Sequence, residues 1–228
     1  MTALRRPRPF SDPPDVRLLG IDEAGRGCVL GSLVVGAYLT EHPEETLRAA
    51  GAGDSKRMSM TRREQARSRL ESLGEMHVRE ITAAQIDAGN LNTLEEEAIV
   101  SILQQTRPDE VRIDALGPPS GIPRVIERLQ AALDFQPTWV MQPKADHTFA
   151  VVGAASIVAK TTRDRALAAL DAEHGPLGSG YPSDPVTRAW LLELARARQP
   201  WPHFVRTRWG TVQTLSQQAM FEESGSAG

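Results

Sequence analysis

The fold is decided by the stretch Val16-Arg17-Leu18-Leu19-Gly20-Ile21-Asp22-Glu23-Ala24-Gly25-Arg26-Gly27. Its first part, Val16–Ile21, is an apolar run that predicts a buried β-strand. Two adjacent carboxylates, Asp22 and Glu23, follow at the exit of that strand. A second apolar run, Leu33–Tyr38, predicts the next strand. The intervening loop, Asp22–Gly31, therefore emerges from a strand end and carries both acids.

Further along the chain, short apolar runs alternate with helical patterns. Val111–Ile113 and Thr138–Met141 predict strands whose carboxyl ends carry acids or lead into them. This alternation predicts an α/β fold in which a covered sheet has its site in the loops at strand ends. The predicted helices begin at the capping boxes Thr61-x-x-Glu64 and Asn92-x-x-Glu95, or follow helical periodicity over Val152–Glu173 and Val186–Arg198.

Length and composition limit the class of protein. The 228 residues, 40% apolar and 24% charged, suit one globular core with an appendage. No run approaches the roughly 20 apolar residues of a membrane span, and the single cysteine, Cys28, excludes an internal disulfide. We therefore predict a cytoplasmic protein that has no membrane partner. Residues 1–15 and 217–228 lack apolar periodicity and are predicted to be disordered tails.

Charge is unevenly distributed along the chain. The net charge of −3 argues against indiscriminate coating of nucleic acid. Between residues 188 and 209, however, five arginines and four aromatic residues accompany one acid, Glu193. This segment is either a groove for a polyanion or a solvated helix face over core tryptophans, and the sequence leaves both open.

Four carboxylates lie at or after predicted strand ends: Asp22, Glu23, Asp114 and Asp146. Taken singly, such an acid is more often a helix cap or a turn former than a ligand. Several carboxylates gathered in one place need a cation, and Mg²⁺ or Mn²⁺ suits an all-oxygen set. Two such ions about 3.5–4 Å apart can activate a water and stabilise a leaving oxygen. The acids therefore indicate metal-dependent phosphodiester chemistry.

The glycines after Asp22 and Glu23 also resemble phosphate-binding loops, but the spacing is wrong. Gly25-x-Gly27-x-x-x-Gly31 departs from the dinucleotide pattern, and no Gly-Lys-Ser/Thr ending is present. A Gly-Arg-Gly turn can nevertheless bring backbone amides and a guanidinium to a sugar hydroxyl or a phosphate.

Several motifs in the same order resemble ribonuclease HII, and the resemblance spans roughly residues 16–215. It implies a ribonuclease H-like fold, a mixed five-stranded sheet flanked by helices, with a small helical C-terminal extension. The implied domains are a catalytic domain over residues 16–184 and a substrate-binding extension over 185–216. The motifs are Gly20-Ile21-Asp22-Glu23-Ala24-Gly25-Arg26-Gly27, Asp54-Ser55-Lys56, Ala154–Lys160 with Arg163-Asp164, and Gly178–Pro185.

The resemblance also implies an activity. The chain would cleave the RNA strand of RNA–DNA hybrids endonucleolytically and incise DNA 5′ of embedded ribonucleotides. The implied mechanism is two-metal-ion hydrolysis, which leaves 5′-phosphate and 3′-hydroxyl ends. The implied metal-binding catalytic residues are Asp22, Glu23, Asp114 and Asp146, with Mg²⁺ or Mn²⁺. Gly25, Arg26 and Gly27 would contact the 2′-hydroxyl at the RNA–DNA junction, and Tyr181 would pack on the neighbouring deoxyribose. Phosphate contacts are implied for Ser55, Lys56, Lys160 and Arg163.

Some features depart from the family or leave alternatives. Cys28 and Ser32 stand where the family usually has proline, which removes no functional group. His147, beside Asp146, is interpreted as a solvated or packed side chain. A binding module that does not cut would not need four acids, and ribonuclease HIII carries an additional N-terminal domain, so both alternatives are disfavoured. We further expect a monomer, with a replication partner bound through a disordered end.

Overall fold

The structure, a computed structural model, describes residues 16–53, 55 and 58–226, with side chains up to residue 221. Lys56, with its predicted phosphate contact, and the predicted N-terminal tail lie outside the described residues. The chain divides into two compact units. Of the described residues, the first unit contains those up to Glu23, those of Val35–Arg79 and Glu96–Thr161, and the second contains Ala24–Val34, Glu80–Glu95 and those from Thr162 onward.

The described residues form a five-stranded sheet with the strand order β3-β2-β1-β4-β5. Strand β1 is parallel to β4, and β4 is parallel to β5. The sheet is mixed and flanked by helices, which confirms the predicted fold class. The strands are β1 (Leu18–Ala24), β2 (Leu33–Thr40), β3 (Glu75–Ile81), β4 (Glu110–Asp114) and β5 (Thr138–Gln142).

Nine α-helices are formed by the described residues, and none of them has the length and apolar character to cross a membrane. Helices α7 and α8 match the periodicity predicted for residues 152–173 and 186–198 to within about two residues. The helices are α1 (Glu44–Ala50), α2 (Met60–Leu70), α3 (Ala83–Ala88), α4 (Leu91–Thr106), α5 (Ile122–Ala131), α6 (Ala145–Thr148), α7 (Ala150–His174), α8 (Pro185–Arg196) and α9 (Gly210–Ser226).

Both predicted capping boxes are wrong in their cap residue. Helix α2 begins at Met60 because the Ser59 side chain accepts from the Arg62 amide at 3.3 Å. At the start of α4, the Asn90 side chain accepts from the amides of Asn92 and Thr93 at 3.0 and 3.2 Å. In each case a cap residue two positions earlier in the sequence satisfies the first free amides.

The C-terminal helix extends further than the sequence indicated. Helix α9 continues to Ser226, whereas residues 217–228 were expected to be disordered. Glutamine, alanine, methionine and glutamate, which fill residues 217–223 around Phe221, all have good helix propensity. That propensity supports a helix even where the apolar periodicity is too weak to predict one.

The core of the first unit forms where α7 packs on the sheet. The first half of α7 is buried throughout, from Ala150 to Ala159. The close approach needs a residue without a side chain on β1, because a Cβ at Gly20 would overlap the Val151 carbonyl oxygen and lie 2.8 Å from the Val152 nitrogen. Gly20 therefore sets the distance between β1 and α7 two residues before Asp22.

We expect Gly20→Ala to lower the free energy of unfolding by about 3 kcal/mol or more, because the clash is with backbone and cannot be relieved by a rotamer change. Chemical denaturation of the purified variant measures this loss. Gly121→Ala is the matched control, since no atom lies within 4 Å of a Cβ placed there. Equal stability of the two variants would contradict the proposed packing constraint.

The aromatic residues of the segment 188–209 belong to the core of the second unit. Phe204 is buried, and Trp190, Trp201 and Trp209 pack against the same apolar cluster. The ring of Trp190 stacks on that of Phe204 with centroids 5.7 Å apart. Of the five arginines, Arg206 is buried, and the exposed ones are Arg188, Arg196, Arg198 and Arg208. The structure thus favours core tryptophans over an aromatic groove.

Candidate active site

Three of the predicted acids lie at the carboxyl-end edge of the parallel strands. Ile21 of β1 pairs with Ile113 of β4, so Asp22 and Asp114 follow paired residues on neighbouring strands. Strand β5 ends at Gln142 beside Asp114, and the short helix α6 that comes next carries Asp146. Parallel strands therefore bring these acids to one edge, as the sequence predicted.

Asp22 and Asp146 form a buried pair of acids. Asp22 is 6% exposed and Asp146 is 1% exposed. Burial raises the pKa of Asp22, the negative charge of Asp146 raises it further, and a hydrogen bond from Ser156 and the positive charge of Lys160 oppose the rise. His147 is exposed, with its Nε2 3.8 Å from Asp146 Oδ1.

The other two acids are more open and less closely gathered. Asp114 is half-buried, and its Oδ1 accepts from the Ala145 amide at 3.2 Å and from the Ala115 amide at 3.0 Å. Glu23 is half-buried at the end of β1. Across residues 16–53, 55 and 58–221, no three His, Cys, Asp or Glu side chains are arranged closely enough to hold a metal ion. The structure gathers a pair, while the full set of four remains a prediction.

A hydrogen-bonded group supports the buried pair from α7. The Lys160 ammonium donates to the hydroxyls of Ser156, at 2.7 Å, and Ser55. The two serine hydroxyls are themselves 2.7 Å apart. Ser55 is fully buried, so its contacts position Lys160 beside Asp22. The phosphate contact predicted for Lys160 stays a prediction, and the one predicted for Ser55 is not favoured by its burial.

The Gly-Arg-Gly turn lies in the second unit, where its arginine is anchored on α4. Gly25 has a φ of +86°, and a Cβ there would lie 2.9 Å from the Ser32 carbonyl oxygen, so glycine is required. The Arg26 guanidinium donates to the carboxylate of Glu95 and to the side-chain oxygen of Asn92. Glu95 is 1% exposed. These contacts direct the Arg26 side chain to α4 and leave ligand contacts to the backbone of the turn.

Tyr181 faces this turn. A Cβ at Gly27 would lie 3.6 Å from the Tyr181 ring, which is 40% exposed. The Arg163 guanidinium lies 5.3 Å from the centroid of the same ring and donates to Cys28 Sγ at 3.1 Å and to the Ser179 carbonyl. Burial raises the pKa of the Cys28 thiol, which is therefore protonated at neutral pH. The structure thus brings Gly27, Tyr181 and Arg163 together.

The loop that presents Tyr181 is fixed by Asp184. Its carboxylate accepts from the Ser179 amide at 2.6 Å and from the Val186 amide at 2.8 Å, which caps α8. These bonds to Ser179 and to the helix backbone lower the pKa of Asp184 to about 2. Asp184 therefore fixes the backbone both before Tyr181, at Ser179, and after it, at Val186.

The acids of the first unit fit a divalent cation by their chemistry. Two buried like charges raise the free energy of the folded state unless a cation offsets them. Burial is the main cause of the raised pKa of Asp22, and the negative charge of Asp146 adds to it. All the donors in question are oxygens, the ligands that Mg²⁺ and Mn²⁺ prefer.

Comparison with known proteins decides the family. The family described as Ribonuclease HII matches residues 19–212. The chain belongs to the ribonuclease HII family. A ribonuclease HII from Thermococcus onnurineus (strain NA1) is 38% identical over 208 residues, which cover 89% of this chain and 91% of that protein.

Solved structures of ribonuclease HII relatives share the fold. The crystal structure of the ribonuclease H2 from Pyrococcus horikoshii OT3 has a TM-score of 0.82 at 36% identity and covers 90% of this chain and 99% of its own. The structure of the PCNA:RNase HII complex from Archaeoglobus fulgidus has a TM-score of 0.79 at 34% identity. The match covers 87% of this chain and 96% of the chain in that structure. This member of the ribonuclease HII family is therefore a ribonuclease H enzyme.

Sequence reasoning missed several residues that hold the predicted site residues of each unit in place. Glu95 was assigned to a capping box, and nothing in the sequence indicates that it binds Arg26. The Ser156 hydroxyl was visible only as part of a motif on a predicted helix, because contact with Ser55 depends on tertiary packing. Arg206 was counted with four exposed arginines, since periodicity does not distinguish a buried arginine from a solvated one.

Proposed function

We propose that the chain cleaves the RNA strand of RNA–DNA hybrids and incises duplex DNA 5′ of embedded ribonucleotides, leaving 5′-phosphate and 3′-hydroxyl ends. The observation that carries this proposal is the buried pair Asp22 and Asp146 at the edge of the parallel strands. Membership of a family that cleaves the RNA of such hybrids supports it. Incision at a single embedded ribonucleotide is the finer part of the proposal.

We infer that Asp22, Glu23, Asp114 and Asp146 hold Mg²⁺ or Mn²⁺. Bound by these acids, two such cations would supply the activation of a water and the stabilisation of the leaving oxygen of the phosphodiester. The acids of the chain orient the cations, and Lys160 keeps part of the negative charge at Asp22 balanced. Lys160 is itself oriented by the hydroxyls of Ser55 and Ser156, so its positive charge is held where it acts on Asp22.

The Gly-Arg-Gly turn and Tyr181 supply the choice of cleavage position in this proposal. The amides of the turn donate to the 2′-hydroxyl, a group that RNA has and DNA lacks. The half-exposed ring of Tyr181 packs on the deoxyribose of the neighbouring nucleotide. Arg163 lies over that ring and contributes a positive charge towards the phosphate backbone.

The experiment is a cleavage assay on two substrates, a uniform RNA–DNA hybrid and a DNA duplex that contains one ribonucleotide. We expect a nick on the 5′ side of the ribonucleotide with Mg²⁺ or Mn²⁺, and none after chelation with EDTA. An all-DNA duplex is the negative control. A nick that survives chelation would refute the requirement for a metal ion. Cleavage of the hybrid alone would refute incision at embedded ribonucleotides.

We also propose a replication partner, because the Archaeoglobus fulgidus relative was solved with PCNA and because α9 exposes two large apolar side chains. Met220 is 67% exposed and Phe221 is 75% exposed. Titration of the chain with PCNA tests this, with the double variant Met220→Ser, Phe221→Ser for comparison. Equal affinity of the wild type and the double variant would place the contact elsewhere.

A further inference from the structure

Arg206 has the largest fully buried side chain in the described part of the chain. Within those residues no carboxylate lies within ion-pair distance of it, and the charge of Asp87 only partly offsets the cost of burying a guanidinium. Burial lowers the pKa of Arg206 to about 10, so the group is still cationic at neutral pH. Hydrogen bonds and the ring of Trp209, whose centroid lies 5.4 Å from the guanidinium carbon, offset this cost. The acceptors of those hydrogen bonds indicate what the residue does.

All three of its acceptors are backbone carbonyls of one loop. Arg206 Nη2 donates to the Gly25 carbonyl at 2.7 Å, Nη1 to the Arg26 carbonyl at 3.1 Å, and Nε to the Gly31 carbonyl at 3.0 Å. Hydrogen bonds from a charged donor are stronger than neutral ones. The planar guanidinium offers its donors in a fixed fork, which an ammonium group does not. The residue therefore clamps both ends of the Gly25–Gly31 loop.

The backbone around Arg206 binds the same loop. The Arg206 amide donates to the Val29 carbonyl at 2.9 Å, and the Gly31 amide donates to the Phe204 carbonyl at 2.8 Å. The next residue is fixed in turn, because Asp87 Oδ2 accepts from the amide and the hydroxyl of Thr207, both at 2.7 Å. The guanidinium thus reaches the loop from a segment that is itself held in place.

We propose that Arg206 is a positioning residue that orients the amides of the Gly-Arg-Gly turn for the 2′-hydroxyl. A peptide unit is planar, so a fixed Gly25 carbonyl also fixes the direction of the Arg26 N–H, and a fixed Arg26 carbonyl fixes that of the Gly27 N–H. Donors that are oriented before the ligand arrives bind it without a cost of reorganisation. This inference rests on the proposed function and adds a residue that never touches the substrate.

Cys28 provides a test that does not depend on activity. It is the single cysteine of the chain and is fully buried inside the Gly25–Gly31 loop, so its rate of labelling by a thiol reagent reports opening of that loop. In Arg206→Lys and Arg206→Met we expect labelling to accelerate roughly tenfold to a hundredfold, as the loss of charged hydrogen bonds predicts. Arg165→Lys, at an exposed position of the same unit, is the matched control and should label at the wild-type rate.

The kinetic arm of the experiment separates positioning from a merely structural role. For DNA with one ribonucleotide we expect the KM of Arg206→Lys to rise about tenfold while kcat changes less than about threefold, because uniform binding is lost. Wild-type labelling and an unchanged KM in the folded variants would overturn the proposal. A fall in kcat alone would do the same.

Two further measurements keep the outcome decisive. If Arg206→Lys unfolds, Arg206→Met, which removes all three guanidinium donors, provides the second variant, and labelling at the wild-type rate in that variant would refute the clamp. If the wild type does not cleave at ribonucleotides, the proposed function fails, while the labelling rates still decide whether Arg206 fixes the loop.

Discussion

Replacing Asp22 by asparagine should abolish cleavage, with a loss on the order of a thousandfold or more in kcat on both substrates. Asparagine keeps the shape of the side chain and removes the charge that a divalent cation needs. The assay uses saturating Mg²⁺ or Mn²⁺, so a weaker metal affinity alone does not account for the loss. Full activity of this variant would refute the assignment of Asp22 as a metal ligand.

The same variant should be at least as stable as the wild type when metal is chelated. The pKa of Asp22 is raised chiefly by burial, so its carboxylate destabilises the folded state at neutral pH and the neutral amide removes that cost. Thermal melts with EDTA and with Mn²⁺ measure this. We expect Mn²⁺ to raise the melting temperature of the wild type and to leave that of Asp22→Asn nearly unchanged.

Asp134→Asn is the control for both measurements. It makes the same chemical change in the same unit, at a side chain that is 74% exposed and paired with Arg107 on the surface. Exposed ion pairs of this kind contribute little to stability. A comparable loss of activity in this control would indicate that the effect of Asp22→Asn is not specific to the site.

The sequence predicted the elements whose pattern is strong. Strands β1 and β2, and helix α7, have long apolar or periodic runs, and buried elements of this kind are readable from residue types alone. Strand β3 was missed because most of its side chains are only partly buried, so no clear alternation marks it. It lies at the edge of the sheet, where one side has no strand to impose a pattern.

The candidate site was predictable to the level of residue types and strand ends. That Asp22 and Asp114 meet at one edge follows from parallel pairing, which the βα alternation indicated. The partners of individual side chains were not predictable, because Glu95 meets Arg26 across 69 positions and Arg206 meets Gly25 across 181. Contacts of that separation depend on the whole fold.

The second large effect is expected at Tyr181, where alanine should reduce cleavage of DNA with a single ribonucleotide by about tenfold to a hundredfold. A loss of this size corresponds to the free energy, about 1–3 kcal/mol, that aromatic stacking on a nucleotide contributes. A smaller loss is expected on the uniform RNA–DNA hybrid, where the neighbouring sugar is a ribose. The measurement is kcat/KM on both substrates. For each variant it is reported as the ratio of the value on DNA with one ribonucleotide to the value on the uniform hybrid.

Tyr181→Phe separates the ring from the hydroxyl. The ring contacts Arg163 and lies beside Gly27, and phenylalanine keeps both contacts, so this variant should retain most of the wild-type ratio. Since the side chain is only 40% exposed, a thermal melt of Tyr181→Ala checks that the fold survives the loss of the buried part of the ring. Equal losses on the two substrates would mean that Tyr181 supports the loop and does not recognise the junction. An unchanged kcat/KM on both substrates in Tyr181→Ala would remove the tyrosine from substrate recognition, and the choice of cleavage position would then rest on the Gly-Arg-Gly turn and the arginine that fixes it.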